Sequence, residues 1–85
     1  MVYYHGEIST PFEKHIDIYI AETDYNYAEW KVWDEAKLYG QRILAEMEDP
    51  EIDEQEFIDA CEGYIICQVS DNHYAEARRD GEWCV

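Results

Sequence analysis

Three cysteines, Cys61, Cys67 and Cys84, and three histidines, His5, His15 and His73, carry the side chains of this 85-residue chain best suited to chemistry. Together they offer a Cys₃His zinc site. Structural zinc sites, however, draw their ligands from closely spaced cysteine pairs. Here five and sixteen residues separate successive cysteines, a spacing that suits small buried hydrophobes better. Cys–His nucleophilic catalysis needs a thiolate stabilised by positive charge or a helix N-terminus. Cys61 falls at the end of an expected helix within an acidic stretch, and Cys67 in the middle of an expected buried strand. Neither position favours a thiolate. Carboxylate-pair hydrolysis needs two acids facing each other across a cleft of roughly several hundred Å³, which a chain of this length rarely encloses. Residues 49–53 lack the ligand order of a calcium-binding loop, and there is no glycine-rich phosphate loop. The expectation is no enzyme, no metal and no cofactor.

What the chain has in excess is carboxylate. Asp and Glu number 21 against six Lys and Arg, a formal net charge of −15. Direct nucleic-acid binding requires a basic face that releases counterions from phosphates, so it is excluded as an expectation, as is an anionic membrane surface. Acidic chains poor in aromatics are commonly disordered. This one is 15% aromatic and 47% hydrophobic, so it should fold as a single acidic domain, 1–85. Glu exceeds Asp thirteen to eight, which weighs against adaptation to high salt as the cause. The first five residues lack a secretory n-region and h-region, and no apolar run approaches the ~20 residues of a membrane span. A cytoplasmic location is expected.

The elements that must position these acids follow from periodicity. Residues 3–8 are rich in β-formers, and Ile16, Ile18 and Ile20 alternate with Asp17 and Tyr19. An N-terminal hairpin with its turn around 9–14 is predicted. Asp24 or Asn26 can cap a long amphipathic helix over 27–47, whose apolar spacing runs through Trp30, Trp33, Ala36, Tyr39 or Gly40, Ile43, Leu44 and Met47. Trp33 and Tyr39 are expected in the core, and Gly40 marks a close approach of another backbone. Asp53 opens a second, shorter helix over 54–61, with Gly63 as its C′ residue. The apolar run 64–69 reads as a central strand, and 73–85 as a ragged hairpin turning at Asp80-Gly81, with one helical turn over 74–78 the alternative. The predicted fold is α+β, a small antiparallel sheet (N-terminal hairpin plus C-terminal strands) packed against one long and one short helix.

The acids are not evenly spread over these elements. Between residues 46 and 62 there are nine (Glu46, Glu48, Asp49, Glu51, Asp53, Glu54, Glu56, Asp59 and Glu62) and no base. They fall on the helix–helix junction and the polar face of the second helix. A second group, Asp24, Glu29, Asp34 and Glu35, lies at the start of the long helix. Duplex DNA carries one negative charge per about 1.7 Å of axis, and carboxylates at comparable spacing can occupy a groove built to grip it. Tyr25, Tyr27 and Trp30, next to Asp24 and Glu29, are candidate aromatic anchors.

This profile resembles the small acidic DNA-mimic inhibitors that phages and plasmids direct against restriction enzymes and CRISPR complexes. Ile18-Tyr19-Ile20-Ala21, Asp24-Tyr25-Asn26 and Trp33-Asp34-Glu35-Ala36 look like the opening of the ArdA-type antirestriction family. Asp53-Glu54-Gln55-Glu56-Phe57 and Glu62-Gly63-Tyr64 are similar to its later acidic segment. The resemblance implies an elongated acidic inhibitor that occupies a DNA-binding groove. The expected partner is a positively charged DNA-binding protein or nuclease complex of the host. The competing expectation is an interaction or homodimerisation module with an apolar, aromatic contact face, whose acids serve solubility alone.

Overall fold

Alternating burial along the first two strands sets the frame. The computed structural model describes residues 1–47 and 51–85. Strands β1 (Val2–Ser9) and β2 (Ile16–Glu22) pair antiparallel with Ile8 opposite Ile16 and Val2 opposite Glu22. Tyr4, Ile8, Ile18 and Ile20 point to the core, while the intervening residues face outward. The connection folds on Thr10, whose buried hydroxyl accepts from the backbone N–H groups of Phe12 and Glu13 at 3.2 and 2.9 Å. His15 closes the loop in the left-handed region at φ 62°. The expected hairpin with a turn at 9–14 is therefore observed.

Strand β3 (Glu62–Val69) pairs antiparallel with the other side of β1, giving the order β2-β1-β3. The central strand is β1, which corrects the expectation for 64–69. An unbroken apolar run reads as a strand buried on both faces, but a register shift opposite His5 and Gly6 leaves Ile66 as an extra residue. The bulge resets the alternation: Ile65 packs against the core, while Ile66 and Cys67 are exposed. Cys67, expected buried, is thus on the surface.

Helix α1 (Tyr25–Glu46) is capped by Asp24, whose side chain accepts from the Tyr27 N–H at 3.0 Å. Its buried seam is Ala28, Val32, Ala36 and Gly40, an unbroken i, i+4 series. Trp33, expected in the core, is 50% exposed, while Trp30, a candidate anchor, is 61% exposed. The reason is proximity. A Cβ added at Gly63 of β3 would collide with the Val32 carbonyl, and one at Gly6 of β1 would stand 3.3 Å from the Val32 Cγ2. With backbones this close, only small side chains fit the seam. Gly63 therefore serves helix–sheet contact rather than capping the second helix.

Helix α2 (Glu54–Ala60) starts at Asp53, which accepts from the Glu56 N–H at 3.1 Å, and ends at Cys61. It buries Phe57 against Phe12 of the hairpin loop, ring centroids 5.3 Å apart. Cys61 fills the space left at Gly40, where a Cβ would lie 2.7 Å from its Sγ. The close approach expected at Gly40 is real, with a side chain as its principal neighbour.

At residues 73–85 the helical alternative over 74–78 is observed, as part of a longer helix. Instead of a hairpin, Ser70 caps a third helix, α3 (Asp71–Arg79), with Asp71 in its first turn and Arg78 and Arg79 in its last. Those charges complement the helix dipole at both ends. The expected Asp80-Gly81 turn exists but terminates this helix: Gly81 sits at φ 80° and the Glu82 N–H reaches back to the Ala77 carbonyl at 3.0 Å. Tyr74 rests on Tyr3 and Ala77 is buried. The chain then returns to the free side of β2, where the Tyr19 N–H donates to the Trp83 carbonyl and the Val85 N–H to the Tyr19 carbonyl. The class is α+β, a three-stranded antiparallel sheet with one long and two shorter helices.

Gly40→Ala should destabilise by about 1–3 kcal/mol in urea denaturation, since overpacking outweighs the gain in helix propensity. Cys61→Ala in the same chain should restore part of that loss, because it removes the Sγ that the new Cβ meets. Gly63→Ala meets backbone at Val32, and no second side-chain substitution should rescue it.

Candidate functional site

Helix α2 has two turns and little intrinsic stability, so its position depends on contacts at both ends. At its C-terminus Lys37 Nζ donates to the carbonyls of Ile58 and Cys61 at 2.9 and 2.8 Å, and reaches that of Asp59 at 3.4 Å. An ammonium on these carbonyls satisfies acceptors that the helix leaves open and faces the negative end of its dipole. The Lys37 side chain also passes over the Trp33 ring, 5.4 Å from its centroid. This contact has no local pattern, since Lys37 and Cys61 are far apart in the chain. Nothing in the local sequence singles Lys37 out for this role.

The acids of α2 and its junctions are presented on this fixed helix. Glu46, Glu51, Asp53, Glu54, Glu56, Asp59 and Glu62 are all exposed. Asp53 caps the helix, Asp59 accepts from Gln55 Nε2 at 2.9 Å, and Glu62 opens β3. Glu54 lines a shallow groove with Gln41, Leu44, Ala45 and Ile58 on one side of α2, and Glu56 a second groove with Pro11, Ile52 and Ala60 on the other. Acids thus stand on both sides of α2, among the exposed Gln55 and Ala60. Glu48 and Asp49 lie outside the described residues.

The second acidic group is not gathered in the same way. Asp24 is occupied as the α1 cap, and Glu29 is exposed beside Trp30. Asp34 and Glu35 are half-buried and, as neighbours on a helix, turn about 100° apart. They share no face with Glu29. The aromatic anchors are on the surface: Tyr27 is 61% exposed, and Tyr25, half exposed, meets Tyr4 edge-on with ring centroids 6.0 Å apart. Asn26, Glu29, Trp30, Trp33 and Gly63 line a cleft of about 290 Å³, and Asn26, Tyr27 and Trp30 an adjoining apolar one of about 420 Å³.

The outer face of the sheet holds a further ionisable cluster that sequence reasoning left unassigned. Glu7 and Asp17 are directly opposed on β1 and β2, an unfavourable like-charge pair. Each is matched by a histidine: His5 Nε2 lies 2.8 Å from Asp17 and His15 Nδ1 3.1 Å from Glu7. The Tyr64 hydroxyl donates to Glu7 at 2.6 Å. This bond, with that of His15, holds the Glu7 carboxyl below the usual range and pushes the Tyr64 hydroxyl up. Burial pushes the Cys61 and Cys84 thiols up as well, which disfavours thiolates there. Among the described residues no group of three or more His, Cys, Asp or Glu is placed to hold a metal ion, and no helix is long and apolar enough to cross a membrane.

The chain matches no protein-family model, no curated protein and no solved structure.

Lys37→Met should cost about 2 kcal/mol, as expected for losing hydrogen bonds from a charged donor. Amide exchange over residues 54–61 should quicken before that of the sheet. Tyr64→Phe should destabilise the protein at neutral pH. Because the Glu7 carboxyl is lowered in the folded chain, its contribution is present above the unfolded carboxylate range and lost as pH falls through the folded value. The Tyr64 hydroxyl is raised, so its share disappears as pH climbs through the phenol range. Denaturation of parent and variant should therefore converge once pH has fallen below the lowered Glu7 value and again once it has climbed above the raised Tyr64 value.

Proposed function

We propose that this chain is a non-catalytic inhibitor of phage or mobile-element origin that places its α2 acids against a cationic DNA-binding surface. The target would be a host defence complex, a restriction or CRISPR nuclease, whose DNA site it would occlude. One observation carries the reading: Asp53, Glu54, Glu56 and Asp59 are exposed on and beside a helix pinned in place, with Glu62 exposed beyond its end, and Lys37 bonds to its main-chain carbonyls. Such crowding of like charge weakens a small fold, and a cationic partner gives it a use. The molecule is also long and flat, 44 × 26 × 16 Å, with a radius of gyration of 13.8 Å; about 12 Å is usual for a compact chain of this length. The resemblance to ArdA-type inhibitors supports the same class. A second reading, an apolar interaction module, is favoured by the exposure of Tyr27, Trp30 and Trp33.

The test is competition with duplex DNA for a panel of purified restriction and CRISPR nuclease complexes. Binding to the responsive complex should weaken by an order of magnitude or more between about 50 and 200 mM salt. A Glu54→Lys/Glu56→Lys/Asp59→Lys variant should lose inhibition while keeping the parent circular dichroism spectrum. Insensitivity to both salt and charge reversal, with loss of activity on Tyr27→Ala or Trp30→Ala, would instead establish the apolar module.

A further inference from the structure

The two edges of the sheet are treated differently. Beside β2, residues 83–85 add a short parallel pairing, with the Ala21 N–H donating to the Val85 carbonyl at 3.0 Å. Beside β3 no such cover exists among the described residues. Exposed edges are ordinarily blunted by charge, proline or a bulge. β3 has no proline and a single charged residue, Glu62, and its bulge at Ile66 breaks the ladder only beyond Ile65. Residues 62–65 therefore form an open strand edge.

That half of β3 lies against the aromatic flank of α1. Gly63 touches the Val32 backbone, which brings the strand down onto the helix and leaves Trp30 and Trp33 projecting beside it. An edge strand bordering a helix-lined groove is the geometry in which an extended segment joins a sheet: main-chain bonds hold it and alternate side chains enter the groove. A second copy of this chain is a poor occupant, since it brings −15 against −15 and sets Glu29 and Glu62 near their own counterparts. A cationic strand is complementary. Its Lys or Arg stems can lie on the indole faces, with their charged ends toward Glu29 and Glu62. Lys37 over Trp33 is an example of this contact within the molecule.

We infer that the edge of β3 at 62–65 and the Trp30/Trp33 flank of α1 accept an extended Lys- or Arg-bearing segment of a partner protein, which becomes the next strand of the sheet. The inference rests on the proposed function for the cationic character of the partner and adds how that partner is held.

The experiment titrates a short capped peptide of alternating Lys and Val into the isotopically labelled full chain and follows amide and indole resonances. Shifts should centre on residues 62–66 and on the indole N–H groups of Trp30 and Trp33. N-methylation of alternate peptide amides, which leaves the charge intact, should weaken binding by about ten-fold or more, and Trp30→Ala should weaken it in the same direction without lowering the melting temperature. Shifts confined to the acids of α2, with no effect of N-methylation, would overturn the strand-docking site and leave the acidic-surface reading standing. Concentration-dependent loss of the β3 resonances without peptide would overturn it in favour of a second copy. If the peptide pairs with β3 but the α2 charge-reversal variant still inhibits its nuclease, the docking site stands and the acidic-surface reading fails.

Discussion

The contact between the backbone of α1 and the backbone of β3 is the constraint on which the rest of this structure depends. Gly63 lies on the Val32 carbonyl and Gly6 under the Val32 side chain, so neither glycine places a side chain between sheet and helix. Dispersion and burial are gained through many small contacts rather than a few large ones. The seam of Ala28, Val32, Ala36 and Gly40 is the only set of α1 residues slim enough for this. Once it is seated, helical geometry leaves Trp30 and Trp33 outside. The exposed aromatics are thus a consequence of where α1 had to be buried.

The same economy of space governs α2. Cys61 enters the gap at Gly40, Phe57 is covered by Phe12, and Lys37 closes the C-terminal carbonyls. A two-turn helix crowded with acids would not hold its place through propensity alone. Tertiary contacts turn a run of carboxylates into a surface of fixed geometry. That rigidity separates a docking surface from an acidic tail, which would bear the ordering entropy on binding.

Much of the frame was legible from local pattern. The alternation of Ile16, Ile18 and Ile20 marked β2, the Asp24 and Asp53 caps marked both helix starts, and the charge run placed acids on α2. The failures share a cause. The α1 face was read from its largest residues, whereas contact distance selected its smallest. The run at 64–69 was read as central because a bulge, which depends on pairing with β1, is invisible in one strand. Residues 73–85 were read as a hairpin because Gly81 marks a turn without saying whether a helix or a strand precedes it. The cluster of Glu7, His15 and Tyr64 joins three distant segments and had no local trace.

By itself, then, the sequence determined the identity and approximate extent of β1, β2, α1, α2 and β3, the α+β class and the concentration of charge between residues 46 and 62, because each follows from short-range periodicity and composition. Only the tertiary structure decided which strand is central, which face of α1 is buried, what holds α2, and that one sheet edge stays open beside Trp30 and Trp33. Those outcomes turn on how closely two backbones can approach, a quantity set by the packing of distant segments.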